Sequence, residues 1–296
     1  MTGASGFIGR HVLAGLRTAG VEVAGLARRA ASFELDLTDG GAVRRALEAY
    51  APSHVLHLAG AIAAAPGGVP ELFSSNVVAT SVLLHEAAMV VPGATVILLS
   101  SSAVYGLPAP IEVAEDALVQ PRTAYALSKA AAEEVARCHR ESGRDVRVVR
   151  AFNLAGPGMP LGLVLSDVAA QLARGETIHA GNLDARRDWL DIRDLASALC
   201  QLALDAPPFD VVNVGSGRSI AVRECVDRMV SMAGGGTIEL DPARQRPGDV
   251  PDLRADLARL RALLPTWAPR YPLEESLGHV LADWQSRLSN TILDRE

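Results

Sequence analysis

The chain has 296 residues, 49% hydrophobic and 21% charged, a balance that fits a folded globular protein and excludes extended disorder. Its net charge of -6 and pI near 5.7 argue against nucleic acid or an anionic membrane surface as the main partner. An anionic small molecule stays open, because a local arginine cluster can outweigh the overall sign. Cys138, Cys200 and Cys225 are scattered and lack metal-ligand spacing, so no metal is expected and they read as buried thiols in a reducing cytoplasm. No apolar run approaches the roughly 20 residues that span a bilayer, and the start does not read as a signal peptide.

The first element is a turn, TGASGFIG, with Gly3, Gly6 and Gly9 three apart. HVLAGLRTAG follows as a helix stopped by Gly20, then VEVAGL as a strand, AVRRALEAY as a helix and SHVLHLAG as a buried strand. LFSSNVVATSVLLHEAAMV reads as a long helix and ATVILLSSS as an apolar strand ending in serines. AYALSKAAAEEVARCHRES is a further helix and DVRVVRAFN a further strand. Strand and helix in alternation imply right-handed βαβ units, hence an α/β fold with a doubly wound parallel sheet of the Rossmann type. Beyond Asn153 glycine and proline thicken and the alternation loosens. Residues 1–155 are therefore assigned to a dinucleotide-binding domain, with return segments near 186–215. Residues 156–296 are assigned mainly to a smaller C-terminal substrate-binding domain.

The turn suits a dinucleotide's pyrophosphate. Gly3 permits the bend, Gly6 lets backbone N–H groups approach phosphate, and Gly9 lets the next helix pack closely with its N-terminus toward the anion. The strand about 20 residues on ends GLARR, where an NAD site commonly carries an acid. Arg28 there would pair with a 2′-phosphate that an acid would repel, so NADP(H) is favoured, with NAD(H) as the alternative. Arg28 and Arg29 also read as plain solvated loop charges. Arg10 is placed to assist, and Asp36 to meet the adenine, although an aspartate before a helix is also an ordinary cap.

Tyr125 and Lys129 lie four apart on a predicted helix and leave it from one face. An ammonium so placed lowers a phenol's pKa and equips it to exchange a proton. Ser101, at the tip of its strand, supplies a hydroxyl to the same substrate oxygen. Y-x-x-x-K also arises on amphipathic surfaces. The order of glycine turn, serine-tipped strand and Y-x-x-x-K is what favours catalysis. His54 and His57 are three apart in a strand, face opposite sides and cannot share a metal.

TGASGFIG, HLAG, SSSAVYG, YALSK, RAFN and RRDWLDIRD together resemble the extended short-chain dehydrogenase/reductases that modify nucleotide sugars, over nearly the whole chain. The resemblance implies that Ser101, Tyr125 and Lys129 are catalytic, with Lys129 also holding the nicotinamide ribose. It implies that Phe7, Ile8, Leu37, Leu58, Ala59 and Gly60 line the cofactor, that Asn76 supports the catalytic helix and that Phe152 sits by the nicotinamide. Asn153, Arg187 and Arg246 match positions that hold the nucleotide sugar, with Ser102 beside them; surface salt bridges are the alternative for the two arginines. It further implies a homodimer in which helices 71–91 and 123–142 make a four-helix contact.

The family's 4,6-dehydratases resemble S-T-D-E-V-Y-G at the serine strand, and Ser102 and Ala103 stand here where their acids would be, which disfavours water elimination. Reduction of a keto-sugar and epimerisation remain. GNLDARRDWLDIRD and DPARQRPGDVP are similar to stretches of the GDP-mannose branch, the second most like GDP-4-keto-6-deoxy-D-mannose reductases, which form GDP-D-rhamnose. A UDP-sugar 4-epimerase with retained NAD is the second reading, and a non-catalytic dinucleotide-binding regulator the third.

Such a glycine turn normally hangs from a buried strand, and only Met1 and Thr2 precede it in this sequence. That strand would lie between VEVAGL and SHVLHLA, where five apolar residues would contribute about 1.5–3 kcal/mol each. The expectation is that the sequence start is a truncation or a misassigned initiation site, with apolar residues upstream. Residues 22–26 and 54–58 should then flank a slot of about 9–10 Å, twice the usual strand spacing.

Overall fold

A computed structural model of the chain describes residues 1–62, 66–107, 111–245 and 249–293. Its helices are α1 (Phe7–Thr18), α2 (Gly40–Tyr50), α3 (Gly68–Phe73), α4 (Ala79–Val90), α5 (Ala124–Glu141), α6 (Val164–Ala173), α7 (Ile192–Leu204), α8 (Val222–Met232), α9 (Ala258–Leu263) and α10 (Leu273–Leu293). The strands are β1 (Leu26–Ala27), β2 (Phe33–Glu34), β3 (His54–His57), β4 (Thr95–Ser101), β5 (Glu112–Val113), β6 (Val146–Ala151), β7 (Asn153–Ala155), β8 (Ile178–Ala180), β9 (Arg186–Asp191), β10 (Val211–Val214), β11 (Ser219–Ala221), β12 (Ile238–Leu240) and β13 (Asp252–Ala255). Local chemistry sets the main helix starts. Asp39, Thr123 and Asp191 each accept a hydrogen bond from a first-turn N–H of α2, α5 and α7.

The central sheet is parallel, in the order β10-β6-β4-β3, with the β1-β2 pair beyond it. The strand β6 is buried along its whole length, as expected when helices cover both faces. One core packs α1 and α7 residues such as Val12, Leu195 and Leu199 on one face. A second packs Val43, Leu83, Leu84 and Ala136 from α2, α4 and α5 on the other. The fold is therefore the doubly wound Rossmann type. A third core, around Leu165, Ile178, Met229 and Leu281, gathers α6, α8, α10 and β8 into a separate C-terminal layer. Where α3 passes into α4 the helix widens to a π turn over Ser74–Val78.

Thr2 occupies the place between β1 and β3, bridging Leu26 on one side and His57 on the other, both in parallel. Thr2 N–H donates to the Leu56 carbonyl at 2.9 Å, and the Leu26 N–H donates to the Met1 carbonyl at 2.8 Å. Residues 22–26 and 54–57 thus flank an intervening segment and do not pair directly. Below Thr2 the sheet opens into a cleft of about 390 Å³, lined by Met1, Leu16, Val23, Ala24, Leu56 and Ala203 among others. The prediction of VEVAGL as a strand over its full length is corrected: only Leu26 and Ala27 hydrogen-bond as strand, beside Met1 and Thr2. Cys138 is also corrected, being exposed on α5, whereas Cys225 is buried and Cys200 half-buried. Among the described residues, no helix is long and apolar enough to cross a membrane.

Candidate active site

The glycine turn is shaped by contacts that a side chain would destroy. Gly3 sits at φ +66°, and a Cβ there would fall 2.7 Å from the Ala59 nitrogen; one on Gly9 would fall 2.0 Å from the Gly3 carbonyl oxygen. Gly6 is exposed and caps α1 without any side-chain hydrogen bond, so the first-turn N–H groups face outward, with Ala59 and Gly60 alongside. Uncapped N–H groups at a helix start, beside a wall too close for side chains, fit a dinucleotide's pyrophosphate. Phe7 and Ile8 are partly buried against the main core, as is Leu58, and Leu37 packs on the core under α2 and α4. Arg28 is exposed just past β1, close enough to Asp36 for its charge to help hold that carboxyl below its usual range. The larger cause is Thr38, whose N–H and hydroxyl both donate to Asp36 Oδ1, so Asp36 also does the work of a turn residue. Arg10 donates to the Gly158 carbonyl at 2.7 Å and ties α1 to the loop after β7.

At the far side of Gly60, β4 and α5 bring Ser101, Tyr125 and Lys129 together. The Ser101 hydroxyl stands close enough to the Tyr125 phenol to favour its charged form, and Lys129 Nζ donates to the Leu99 carbonyl at 3.0 Å. A Cβ on Gly60 would lie 3.2 Å from Lys129 Nζ and 2.6 Å from Asn76 Oδ1, so the absent side chain of Gly60 makes room for both. Asn76, in the π turn, bonds the Ala61 N–H and carbonyl and donates to Ser128 Oγ, which donates to the Tyr125 carbonyl.

The electrostatics differ from the sequence expectation in one respect. Burial raises the Tyr125 phenol above its ordinary range, against the pull of the nearby Ser101 hydroxyl. The same burial pushes Lys129 down to about 8, with Glu133 pulling it back up. Desolvation, which disfavours both charged forms, outweighs the effect of their spacing. Burial thus favours the neutral phenol.

Beneath this group lies an ionic network that the sequence reading missed. Ser100 donates to Glu133 at 2.5 Å; Arg150 donates to both Glu133 oxygens, to Tyr105 OH at 3.0 Å and to the Glu115 carbonyl at 3.0 Å; and Tyr105 OH donates to Asn213. Glu133 is one turn beyond Lys129 on the same helix, and that spacing was the available signal. Ser102 and Phe152 are both buried, Phe152 against the Tyr105 ring at 6.4 Å. Asn153 lies on β7 opposite Trp189, whose indole is buried in the C-terminal core. Arg187 donates to Asp249 and to the Val250 carbonyl, a mostly buried ion pair. Arg246 lies outside the described residues.

Residues 1–215 match the NAD dependent epimerase/dehydratase family. The chain is 32% identical to a GDP-6-deoxy-D-mannose reductase of Pseudomonas aeruginosa, over 97% of both proteins. It is 28% identical to a UDP-glucose 4-epimerase of Azospirillum brasilense, over 99% of this chain and 93% of that one. Among solved structures, RMD from Pseudomonas aeruginosa complexed with NADPH superposes with a TM-score of 0.83 at 30% identity, covering 96% of this chain and 97% of the other. A Thermus thermophilus UDP-glucose 4-epimerase in complex with NAD superposes at 0.86 with 25% identity, over 96% and 97%. The glycine turn, the Ser101–Tyr125–Lys129 group and the full-length match lead to one assignment: this chain belongs to the NAD dependent epimerase/dehydratase family.

Proposed function

We propose that the protein is an NADPH-dependent reductase that converts the C4 ketone of GDP-4-keto-6-deoxy-D-mannose to the alcohol of GDP-D-rhamnose. The observation that supports the reading is the meeting of Ser101, Tyr125 and Lys129 beside Gly60, in a chain that matches a GDP-6-deoxy-D-mannose reductase over 97% of both proteins. Reduction needs an acid at the sugar oxygen, a role open to the Tyr125 phenol, whose burial favours its neutral form. The substrate is supported by the 32% identity to the GDP-6-deoxy-D-mannose reductase. The preference for NADPH is supported by Arg28, exposed where a 2′-phosphate would lie, together with the NADPH in the RMD structure.

When bound, the reduced dinucleotide supplies a hydride to the sugar's C4. Gly3, Gly6 and Gly9 with the α1 N-terminus hold its diphosphate, and Ala59 and Gly60 form the adjoining wall. Tyr125 gives its phenolic proton to the oxygen on C4 as negative charge develops there, and Ser101 donates a hydrogen bond to that oxygen. Lys129, kept charged with the help of Glu133, favours the phenolate left behind. Asn153, Arg187 and Arg246 hold the nucleotide-sugar side. For Arg187 this requires sharing or releasing Asp249. Val78, Met89 and Leu127 stand exposed on the π turn, α4 and α5, and we assign this face to a homodimer contact.

The test is to incubate the protein with GDP-4-keto-6-deoxy-D-mannose and NADPH, follow the loss of NADPH absorbance and identify the product sugar. Turnover to GDP-D-rhamnose is expected; no NADPH oxidation overturns the reading. The second reading, a UDP-sugar 4-epimerase, is supported by the TM-score of 0.86 to the NAD-bound enzyme, against 0.83 for RMD. It predicts interconversion of a UDP-hexose without added cofactor.

A further inference from the structure

Outside the catalytic group, four buried polar residues form one continuous line. The Ala59 N–H donates to Thr2 Oγ1 at 3.2 Å, Thr2 Oγ1 is 2.7 Å from His57 Nδ1, His57 Nε2 is 2.9 Å from Thr80 Oγ1, and Thr80 donates to the Asn76 carbonyl at 2.6 Å. Thr2, His57, Thr80 and Asn76 are each 1% exposed. The two ends settle the proton order. A carbonyl can only accept, so Thr80 spends its one proton on Asn76 and must accept from His57 Nε2. A neutral ring protonated at Nε2 accepts at Nδ1, so Thr2 donates there, and its lone pair takes the Ala59 N–H. Every member is satisfied in a single direction.

The line joins parts that the chain keeps far apart. Thr2 directly precedes Gly3, whose backbone lies against Ala59. Asn76, at the other end, reaches through Ser128 to the Tyr125 carbonyl. We infer that Thr2, His57 and Thr80 are positioning residues, an uncharged strut that locks the glycine turn and the Ala59–Gly60 wall to Asn76 and so to the helix bearing Tyr125 and Lys129. This rests on the reading that the turn holds a dinucleotide. Burial, with Lys129 nearby, pushes His57 down to about 3, so the strut stays neutral at working pH.

Thr2→Val and Thr80→Val keep the side-chain shape and remove one hydroxyl each. Each should weaken NADPH binding, measured by fluorescence titration, by about tenfold, the effect of leaving one buried partner unsatisfied. The double variant should bind no worse than the weaker single one, since a broken strut cannot break twice. Thr2→Ser and Thr80→Ser should recover most of the affinity. In the wild-type protein, the ¹⁵N shifts of His57 should report a neutral ring protonated at Nε2, a measurement independent of any variant. Unchanged affinity in the valine variants with a lowered Tm, additive losses, or the other tautomer overturns the strut. Failure of the wild-type protein to bind NADPH overturns the dinucleotide reading itself, and the strut's purpose with it.

Discussion

The two ends of the central sheet are held by different kinds of contact. Around β4, β6 and α5 every strand has a partner on both sides, and the polar groups beneath the catalytic residues are paired several times over: Arg150 alone serves Glu133, Tyr105 and Glu115. Around β1 and β3 the sheet is joined through Met1 and Thr2, beside a cleft of about 390 Å³. Under the proposed function, the first region would carry the proton chemistry and the second the wall of the cofactor site. Chemistry at β4 tolerates little play, because a displaced donor loses most of its effect. The wall at Thr2 is held by the polar strut together with buried apolar neighbours such as Met1, Ala4, Leu26 and Leu56.

The sharpest test of this contrast is Tyr125→Phe. Removing the acid should lower kcat by about 10²- to 10⁴-fold while NADPH affinity and Tm stay near wild type. A comparable fall in affinity would show that the two regions are not separable. Next, Arg150→Met leaves Glu133 buried without its cation and should destabilise the fold by about 3–5 kcal/mol in denaturant unfolding. A loss below about 1 kcal/mol would mean that the network is not what makes this end rigid. The pH profile sharpens the comparison further. Lys129 is charged below about 8, so kcat should fall on an alkaline limb with a midpoint near that value. Because its folded pKa lies below the unfolded one, the unfolded state binds the extra proton between them, and the contribution to stability rises with pH from about 8 to the ordinary lysine range. Glu133→Gln, which removes the charge that pulls Lys129 upward, should move the limb to lower pH, and an unmoved limb would assign it to another group. The smallest effect is expected at the other end. Ala203→Leu, projecting into the cleft, should stabilise by about 0.5–2 kcal/mol with little change in kcat, and a destabilised variant would show that the cleft cannot accept the added volume.

The doubly wound fold was legible because the determinants of a parallel sheet are local and periodic. ATVILLSSS and DVRVVRAFN are continuous apolar runs, and β4 and β6 occupy them side by side. VEVAGL shows the limit of such reading. Its composition is that of a strand, yet only Leu26 and Ala27 pair, because strand formation needs a neighbour as well as a propensity. The Tyr125–Lys129 spacing was visible, but the direction of the phenol's shift was not, since burial is a property of everything packed around it.

By itself, then, the sequence determined the alternation of strand and helix, the glycines that a crowded turn requires, and the residues able to exchange a proton, since each depends on residue type and short spacing. Tertiary structure alone decided which of those side chains meet. It set Glu133 against Arg150 across 17 positions and His57 between Thr2 and Thr80. Pairing over such separations follows from the register of the sheet and the seating of its helices. No window of neighbouring residues contains that information.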